Sequence, residues 1–140
     1  MTRFLLDTNC ISELVRPKPN PRVLSWIDTV DEDTLFLSVL TLGEIRSGVA
    51  ALPVSGRRTQ LESWLEIDLP ARFAGRVLPI DLNVADRWGR LAASARQSGK
   101  PLAIIDGLLA ATALEFDLTV VTRNTADFAK TPVEVLDPWN

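Results

Sequence analysis

Short apolar runs with strand character recur along the chain, separated by longer segments in which apolar residues have helical spacing. Five of these runs predict β-strands, at residues 4–6, 34–39, 76–81, 118–122 and 132–136. A proline inside the run 76–81 removes a backbone donor and favours an edge or irregular strand there. Strands that alternate with helices are typical of a single α/β domain, here residues 1–140, with a mainly parallel central sheet flanked by helices.

Capping residues indicate where helices begin in the segments between the strands. Asn20 and Pro21 place a capping residue before a proline at the first helical position. Thr41 is predicted to cap the helix after the second strand, and Asn83 to cap the helix after the third. The acidic run 31–33 is most simply a solvated loop. The predicted helices cover residues 11–15, 21–30, 42–51, 57–69, 83–98 and 103–116.

The composition excludes several kinds of chemistry. The 140 residues contain no histidine and one cysteine, Cys10, which follows an apolar strand and is expected to be buried. Histidine-based catalysis, Cys/His zinc sites and internal disulfides are therefore excluded. Hydrolysis would have to rest on carboxylates, a metal ion, or Ser, Thr and Lys. The cysteine content fits a reducing compartment, and no apolar stretch reaches the length of a membrane span, so we expect a cytoplasmic protein with no membrane partner.

Carboxylates follow the ends of the predicted strands. Asp7 follows the first strand, Glu44 the second and Asp127 the fourth, while Asp106 lies near the start of the apolar helix 103–116. In parallel sheets, ligands bind outside the carboxyl ends of the strands. Oxygen ligands select Mg²⁺ or Mn²⁺, and such ions at a carboxylate cluster typically serve phosphate chemistry. The residues therefore suit phosphodiester hydrolysis without histidine.

Each of these acids also has a purely structural interpretation. Glu44 completes a capping box with Thr41, and Asp106 suits the positive end of a helix dipole. Asp127 can cap or turn a loop, and Asp7 can cap the short helix that follows it. The spacing alone leaves both interpretations open.

Four segments, in this order and at compatible spacing, resemble the PIN-domain family, and within it the toxins of VapBC- and FitAB-type toxin–antitoxin pairs. The resemblance covers the whole chain. The segments are LLDTN at 5–9, LGEIRSG at 42–48, IDGLLAATA at 105–113 and VTRNTADF at 121–128.

The resemblance implies a Mg²⁺- or Mn²⁺-dependent endoribonuclease, in which Asp7, Glu44 and Asp106 form the metal site. The net charge of −3 is not typical of a protein that binds nucleic acid passively. In this family the toxin is a homodimer held inactive by a cognate antitoxin, which inserts a basic side chain into the acidic pocket. The pair binds its promoter DNA through the antitoxin, which agrees with an acidic toxin.

The resemblance leaves the fourth position of the site open between two residues. Asn124 lies where some relatives carry an acid, whereas Asp127 supplies the acid found in others, and Asp127 is favoured as the catalytic fourth acid. Thr122 and Asn124 are then supporting residues. Thr8 and Asn9 are expected to orient the loop or the metal-bound water.

Two alternatives to a nuclease follow from the same residues. A haloacid-dehalogenase-like phosphatase would use a strand-end Asp as nucleophile, but it requires a second Asp where this chain has Asn9. A non-catalytic PIN-fold partner of a DNA-binding antitoxin would act only in promoter autoregulation. A metal-dependent nuclease assay separates this second alternative from the enzyme.

Overall fold

The computed structural model describes residues 1–140. Its five strands form one sheet in the order β3-β2-β1-β4-β5, and all four pairings are parallel. The predicted parallel α/β sheet is confirmed, and the strand next to Pro79 lies at an edge as expected. The strands are β1 (Phe4–Leu6), β2 (Leu35–Ser38), β3 (Val77–Leu78), β4 (Thr119–Val121) and β5 (Val135–Leu136).

Eight α-helices connect the strands or follow them along the chain. A 3-10 turn, Glu32–Thr34, precedes β2, and a π-helical turn, Trp64–Asp68, joins α4 to α5. The helices are α1 (Thr8–Glu13), α2 (Pro21–Thr29), α3 (Val39–Ala50), α4 (Gly56–Ser63), α5 (Leu69–Arg72), α6 (Leu82–Gln97), α7 (Ile104–Phe116) and α8 (Thr125–Phe128).

The sheet separates two apolar layers because successive strand residues point to opposite faces. Phe4 and Leu6 pack in a core built with α1, α2, α3 and α5, whereas Leu5 packs on the other face against α7 and α8. All three residues of β1 are buried. This explains why β1 reads as a continuous apolar run and not as an alternating one.

The order of the strands creates one switch point, between β1 and β4. The chain first runs outward from β1 through β2 to β3, and then returns to place β4 on the free side of β1. Residues that follow β1 and β4 therefore meet at the carboxyl edge of the sheet. In open α/β sheets this crevice is where ligands bind.

The start of α3 differs from the prediction. The helix begins at Val39, and Ser38 is its cap, with the Ser38 hydroxyl accepting a hydrogen bond from Leu40 N at 3.0 Å. Thr41 lies inside the helix, fully buried, and its hydroxyl has no hydrogen-bond partner. The predicted capping box of Thr41 and Glu44 is therefore wrong, because the strand stops earlier than its apolar pattern indicates.

The cap of α6 also differs from the prediction. Asp81 caps this helix by accepting a hydrogen bond from Val84 N, so the expected cap, Asn83, lies in the first turn. Leu82, the first residue of the helix, is 84% exposed. At the end of the same helix, Gly99 has a φ of +74°, as expected of a residue that closes a helix.

The acidic run 31–33 is exposed at Asp31 and Asp33, as expected of a solvated segment, but it forms an ordered 3-10 turn instead of a loop. Asp31 caps the 3-10 turn, and the Glu32 carboxylate binds Arg72 at 2.9 Å and Arg76 at 3.1 Å. Hydrogen bonds from Arg72, together with the charges of both arginines, hold the pKa of Glu32 below its ordinary value. These partners are distant in sequence, so the run itself carries no sign of them.

Cys10 lies in α1 and is fully buried, as predicted. Burial, with the nearby charges of Asp7 and Glu13, raises the pKa of its thiol to about 12, which keeps it protonated and unreactive at neutral pH. None of the helices combines the length and apolar character that crossing a membrane requires.

Candidate functional site

Asp7 lies at the switch point, between the end of β1 and the start of α1. Its side chain caps α1: Oδ1 accepts a hydrogen bond from Thr8 N at 2.8 Å, as the structural interpretation expected. Oδ2 accepts a second bond, from the Thr122 hydroxyl at 2.8 Å. Burial raises the pKa of Asp7; these two hydrogen bonds oppose that rise, and the charges of Glu44 and Asp127 add to it. A cap alone explains neither the burial nor the acidic neighbours.

Thr122 links the two strands that flank the switch point. Its buried hydroxyl donates to Asp7 and accepts from Asn9 Nδ2 at 3.2 Å and from Asn124 N at 3.0 Å. Asn9 also accepts a bond from Arg123 N, at 3.4 Å, through its side-chain oxygen. The loop after β1 and the loop after β4 are thus fastened to each other through one hydroxyl, which fixes the orientation of the Asp7 carboxylate.

Glu44 lies on the exposed side of α3, and Thr8 connects it to Asp7. The Thr8 hydroxyl donates to Glu44 Oε1 at 2.6 Å, while the backbone nitrogen of Thr8 donates to Asp7. Because α3 begins at Val39, Glu44 lies in the second turn and caps nothing. The structural interpretation of Glu44 is thereby removed, and its position near Asp7 is left as its distinguishing feature.

Asp106 lies in the first turn of α7, half-buried, and Ala103 at the cap of this helix offers no side-chain bond. Burial is the largest cause that raises the pKa of Asp106. The charges of Asp127, Asp7 and Glu44 raise it further, and the ammonium of Lys130 lowers it.

A close helix contact fixes this part of α7. Gly107, next to Asp106, is packed so tightly against Trp88 of α6 that a Cβ there would lie 3.0 Å from the indole ring. The absence of a side chain at Gly107 lets α6 approach α7 and sets the position of the first turn.

Asp127 and Asn124 differ in what they contribute. Asp127 lies on the exposed side of α8, and its charge raises the pKa values of both Asp7 and Asp106, so it belongs to the same electrostatic neighbourhood. Asn124 precedes α8, contacts the site only through its backbone nitrogen, and its side chain makes no hydrogen bond. Asp127 thus adds a charge to this group of acids and Asn124 does not, and the identity of the fourth site residue stays a prediction.

The four carboxylates therefore share one edge of the sheet and repel one another. Charged oxygen donors in such a cluster suit a hard divalent cation, which would reverse the cost of keeping them ionised. In the structure, however, no group of three or more acidic or cysteine side chains is arranged to hold a metal ion. The donor chemistry fits Mg²⁺ or Mn²⁺, and convergence of the carboxylates on one ion stays a prediction.

Two cations near this edge were not assigned a role from the sequence. Lys130 acts on Asp106 and donates to Pro101 O at 3.3 Å, which ties α8 to the segment before α7. Arg123 follows Thr122 directly and lies with its guanidinium 5.7 Å from the centre of the Trp139 ring. Arg123 stands inside one of the four segments that carry the family resemblance, but nothing in its spacing indicates an aromatic partner near the end of the chain.

The fold is that of the PIN domain. The model of this family matches residues 4–134, and the chain belongs to it. The family match removes the support for a haloacid-dehalogenase-like phosphatase.

Among its relatives, the chain is 43% identical over 137 residues to the toxin FitB of Neisseria gonorrhoeae, with 98% of this chain and 99% of FitB covered. It is 42% identical over 136 residues to the VapC ribonuclease Y4jK of Sinorhizobium fredii, with 97% of each chain covered. The resemblance to VapC and FitB toxins is confirmed over nearly the full length.

Solved structures give the same result for the backbone. The chain matches the FitAcB crystal structure from Neisseria gonorrhoeae with a TM-score of 0.93 and 42% identity, covering 98% of this chain and 99% of that chain. It also matches FitAB bound to an IR36 DNA fragment, with a TM-score of 0.92, 41% identity and 98% and 96% of the two chains covered.

Proposed function

We propose that this protein is a Mg²⁺- or Mn²⁺-dependent endoribonuclease and the toxin of a toxin–antitoxin pair. The observation that carries the proposal is the crowding of four carboxylates at the switch point of a PIN fold, where burial and, after it, the charges of the neighbouring acids raise the pKa values of Asp7 and Asp106. The chain contains no histidine, so acid–base chemistry by imidazole is absent from this edge. The names of the VapC ribonuclease and FitB toxin relatives agree with this assignment.

Asp7, Glu44 and Asp106 would hold the metal ion, and Asp127 would act as the fourth acid. When bound, the ion would neutralise charge on the phosphate and lower the pKa of a coordinated water. The chain's own part is to orient its oxygens. Thr8 holds Glu44 and Asp7 through its hydroxyl and its backbone nitrogen, and the Thr122 hydroxyl holds the second oxygen of Asp7.

A nuclease assay with a defined single-stranded RNA tests the enzyme. We expect internal cleavage with Mg²⁺ or Mn²⁺ and none in excess EDTA, with products that carry 5′-phosphate and 3′-hydroxyl ends. A mechanism that used the 2′-hydroxyl would leave cyclic or 3′-phosphate ends instead. Cleavage that persists in EDTA would contradict the metal mechanism, and a protein that binds an antitoxin without cleaving RNA would be the non-catalytic partner.

Glu44→Gln tests the role of Glu44 as a ligand. Gln can still accept the hydrogen bond from Thr8 but lacks the charge, so the local fold is preserved and the metal site loses a carboxylate. We expect cleavage to fall by about 10- to 100-fold, the loss typical of a damaged metal environment. Cleavage at the wild-type rate would remove Glu44 from the site.

The partners follow from the same acidic edge. We propose that the cognate antitoxin inserts a basic side chain among these carboxylates, that the toxin forms a homodimer, and that promoter DNA is bound only through the antitoxin.

We expect an adjacent gene for a small DNA-binding protein, whose co-expression abolishes cleavage. A promoter fragment should shift with the complex in a gel and not with the toxin alone, and light scattering of the free toxin should give twice the monomer mass.

A further inference from the structure

We propose that Arg123 binds a backbone phosphate of the RNA substrate beside the one that is cleaved, and that Trp139 is the positioning residue that holds its side chain in place. The identity of the ligand rests on the proposed function. The site itself rests on the surroundings of Arg123, Trp139 and Glu13.

Arg123 is an unpaired cation at the acidic edge. It directly follows Thr122, whose hydroxyl bonds Asp7, so its main chain is fixed within the site. Seven ion pairs in the protein involve other arginines, and none involves Arg123. Its guanidinium donates no hydrogen bond within the chain and is exposed. All of its planar donors are therefore free for an external anion.

The ring of Trp139 supports this free guanidinium. The two groups are 5.7 Å apart, which is within the range of a cation–π contact. Such a contact restricts the side chain without using any of its N–H donors. Arg123 is therefore held in place, but its hydrogen-bonding edge stays available.

Trp139 is held from two sides. Its indole nitrogen donates to Glu13 Oε1 at 3.3 Å, and its carbonyl accepts a bond from Arg22 Nη1 at 3.4 Å. Glu13 is only 3% exposed and also accepts a bond from Asn20 N at 3.2 Å. Losing a hydrogen bond to a buried carboxylate is costly, so the bonds that Glu13 accepts from Trp139 and Asn20 are expected to persist. The segment around Trp139 is thus fastened to the last residue of α1 and to the first turn of α2.

The position of Arg123 suits a neighbouring phosphate and not the scissile one. Lys130 is the cation whose charge acts on Asp106, whereas the guanidinium of Arg123 lies against Trp139 and forms no ion pair with any carboxylate. The main chain of Arg123 thus belongs to the loop that holds Asp7, while its side chain is left without an acidic partner. An RNA strand that approaches four carboxylates is repelled, and a cation at the rim offsets that repulsion. Arginine suits this role because its fork binds phosphate through two parallel hydrogen bonds.

Binding of a short, fluorescent single-stranded RNA in EDTA tests the phosphate contact without cleavage. We expect Arg123→Gln to weaken binding by about tenfold. The slope of log affinity against log salt should also become shallower by about 0.7, the value of one phosphate contact on a single strand.

Arg3→Gln is the matched control for this experiment. Arg3 stacks on Phe36 at 5.6 Å, precedes β1 at the opposite edge of the sheet, and loses the same charge when replaced. Its variant should bind RNA within about twofold of the wild type with an unchanged salt slope. Equal losses in the two variants, or wild-type affinity and slope in Arg123→Gln, would overturn the proposal.

Two variants of Trp139 separate positioning from folding. Trp139→Phe keeps an aromatic face and loses the bond to Glu13, whereas Trp139→Leu loses both. We expect both to lower the melting temperature, but only Trp139→Leu to weaken RNA binding, by about threefold to fivefold. With Mg²⁺ this should appear as a higher KM at unchanged kcat. If RNA affinity falls in both variants in proportion to the drop in melting temperature, Trp139 has only a structural role.

These measurements also distinguish the two proposals. RNA that binds through Arg123 but is not cleaved with Mg²⁺ or Mn²⁺ would overturn the nuclease and keep the phosphate contact. If the wild-type protein cleaves RNA and the Arg123→Gln variant binds RNA as the wild type does, the nuclease would stand and the phosphate contact would be overturned. A wild-type protein that binds no RNA in EDTA or with Ca²⁺ would overturn the phosphate contact.

Discussion

Two groups of carboxylates in this protein have opposite electrostatic surroundings. Glu32, before β2, is paired with Arg72 and Arg76, and its pKa is lowered. At the carboxyl edge of the sheet, burial raises the pKa values of Asp7 and Asp106, and the charges of the neighbouring acids raise them further. The first arrangement stabilises the fold without an external ligand. In the second, Lys130 and the hydrogen bonds to Asp7 offset the cost of the charges only in part, and a bound cation or a proton would relieve the rest.

The comparison teaches how a structural acid differs from a functional one in the same chain. Arginine pairing joins segments that are distant in sequence, as Glu32 joins the turn before β2 to α5. Uncompensated crowding does nothing for the fold, so its presence requires another explanation. Binding of a divalent cation supplies one.

The largest expected effect comes from Asp106→Asn. Cleavage should fall by about a hundredfold to a thousandfold, because a charge that stabilises the reacting centre is lost. In EDTA, however, the variant should melt about 2–4 °C above the wild type, since one repelling charge is removed. It should also gain less from added Mg²⁺. Equal Mg²⁺-induced shifts in both proteins would contradict the metal site, and Glu32→Gln serves as the control that changes an acid but leaves cleavage intact.

A smaller effect is expected from Thr122→Val, with Thr41→Val as its matched control. Both threonines are fully buried, but the Thr122 hydroxyl makes three hydrogen bonds and the Thr41 hydroxyl makes none. Thr122→Val should lower kcat/KM by about 10- to 100-fold, as expected when the residue that orients a metal ligand is lost. Thr41→Val should leave cleavage unchanged and raise the unfolding free energy by up to about 1 kcal/mol. Identical kinetics in the two variants would show that the Thr122 bonds are irrelevant to the site.

The smallest effect concerns the pH dependence of stability. Because the folded pKa of Glu32 is lowered, its contribution is present above the ordinary glutamate pKa of about 4.3 and is lost as the pH falls through the folded value. The Glu32 side chain is 44% exposed, so we expect a contribution below about 1 kcal/mol. Urea unfolding of Glu32→Gln should show a weaker loss of stability on acidification than the wild type.

The acids at the carboxyl edge should contribute the opposite slope in EDTA. The folded pKa of Asp106 is raised, so stability falls as the pH rises from the unfolded value through the folded one. The difference in unfolding free energy between Asp106→Asn and the wild type should therefore grow over that interval and then stay constant. If the difference in unfolding free energy between the two proteins does not depend on pH, the pKa of Asp106 is not raised in the folded state.

Much of this arrangement could be predicted from local sequence. The run 4–6 is buried on both faces of the sheet, and its apolar residues show this directly. Asp7 and Thr122 follow strands that a parallel sheet brings to the same edge, so their proximity follows from the topology. The helix caps at Asn20 and Gly99 were predictable because the residues at those positions have strong local preferences.

The remaining features depend on contacts between distant segments. Ser38 and Thr41 are both good caps, and the choice between them is made by where β2 stops pairing with its neighbours. The surroundings of Glu32 require arginines that lie at least 40 residues away. Trp139 reaches Glu13 across 126 residues, and no local pattern indicates that contact.

The pairing of β4 beside β1 has a consequence for the synthesis of this protein. Asp7 and Thr122 are separated by 115 residues, so the hydrogen bond between them forms only when nearly the whole chain has left the ribosome. Long-range parallel pairing of this kind is also slow to form. A nascent or truncated chain that ends before β4 contains Asp7 but lacks Thr122, whose hydroxyl orients the Asp7 carboxylate. If the site works as proposed, its first acid is oriented only after β4 has been synthesised and has paired with β1, so folding would set the earliest moment of activity.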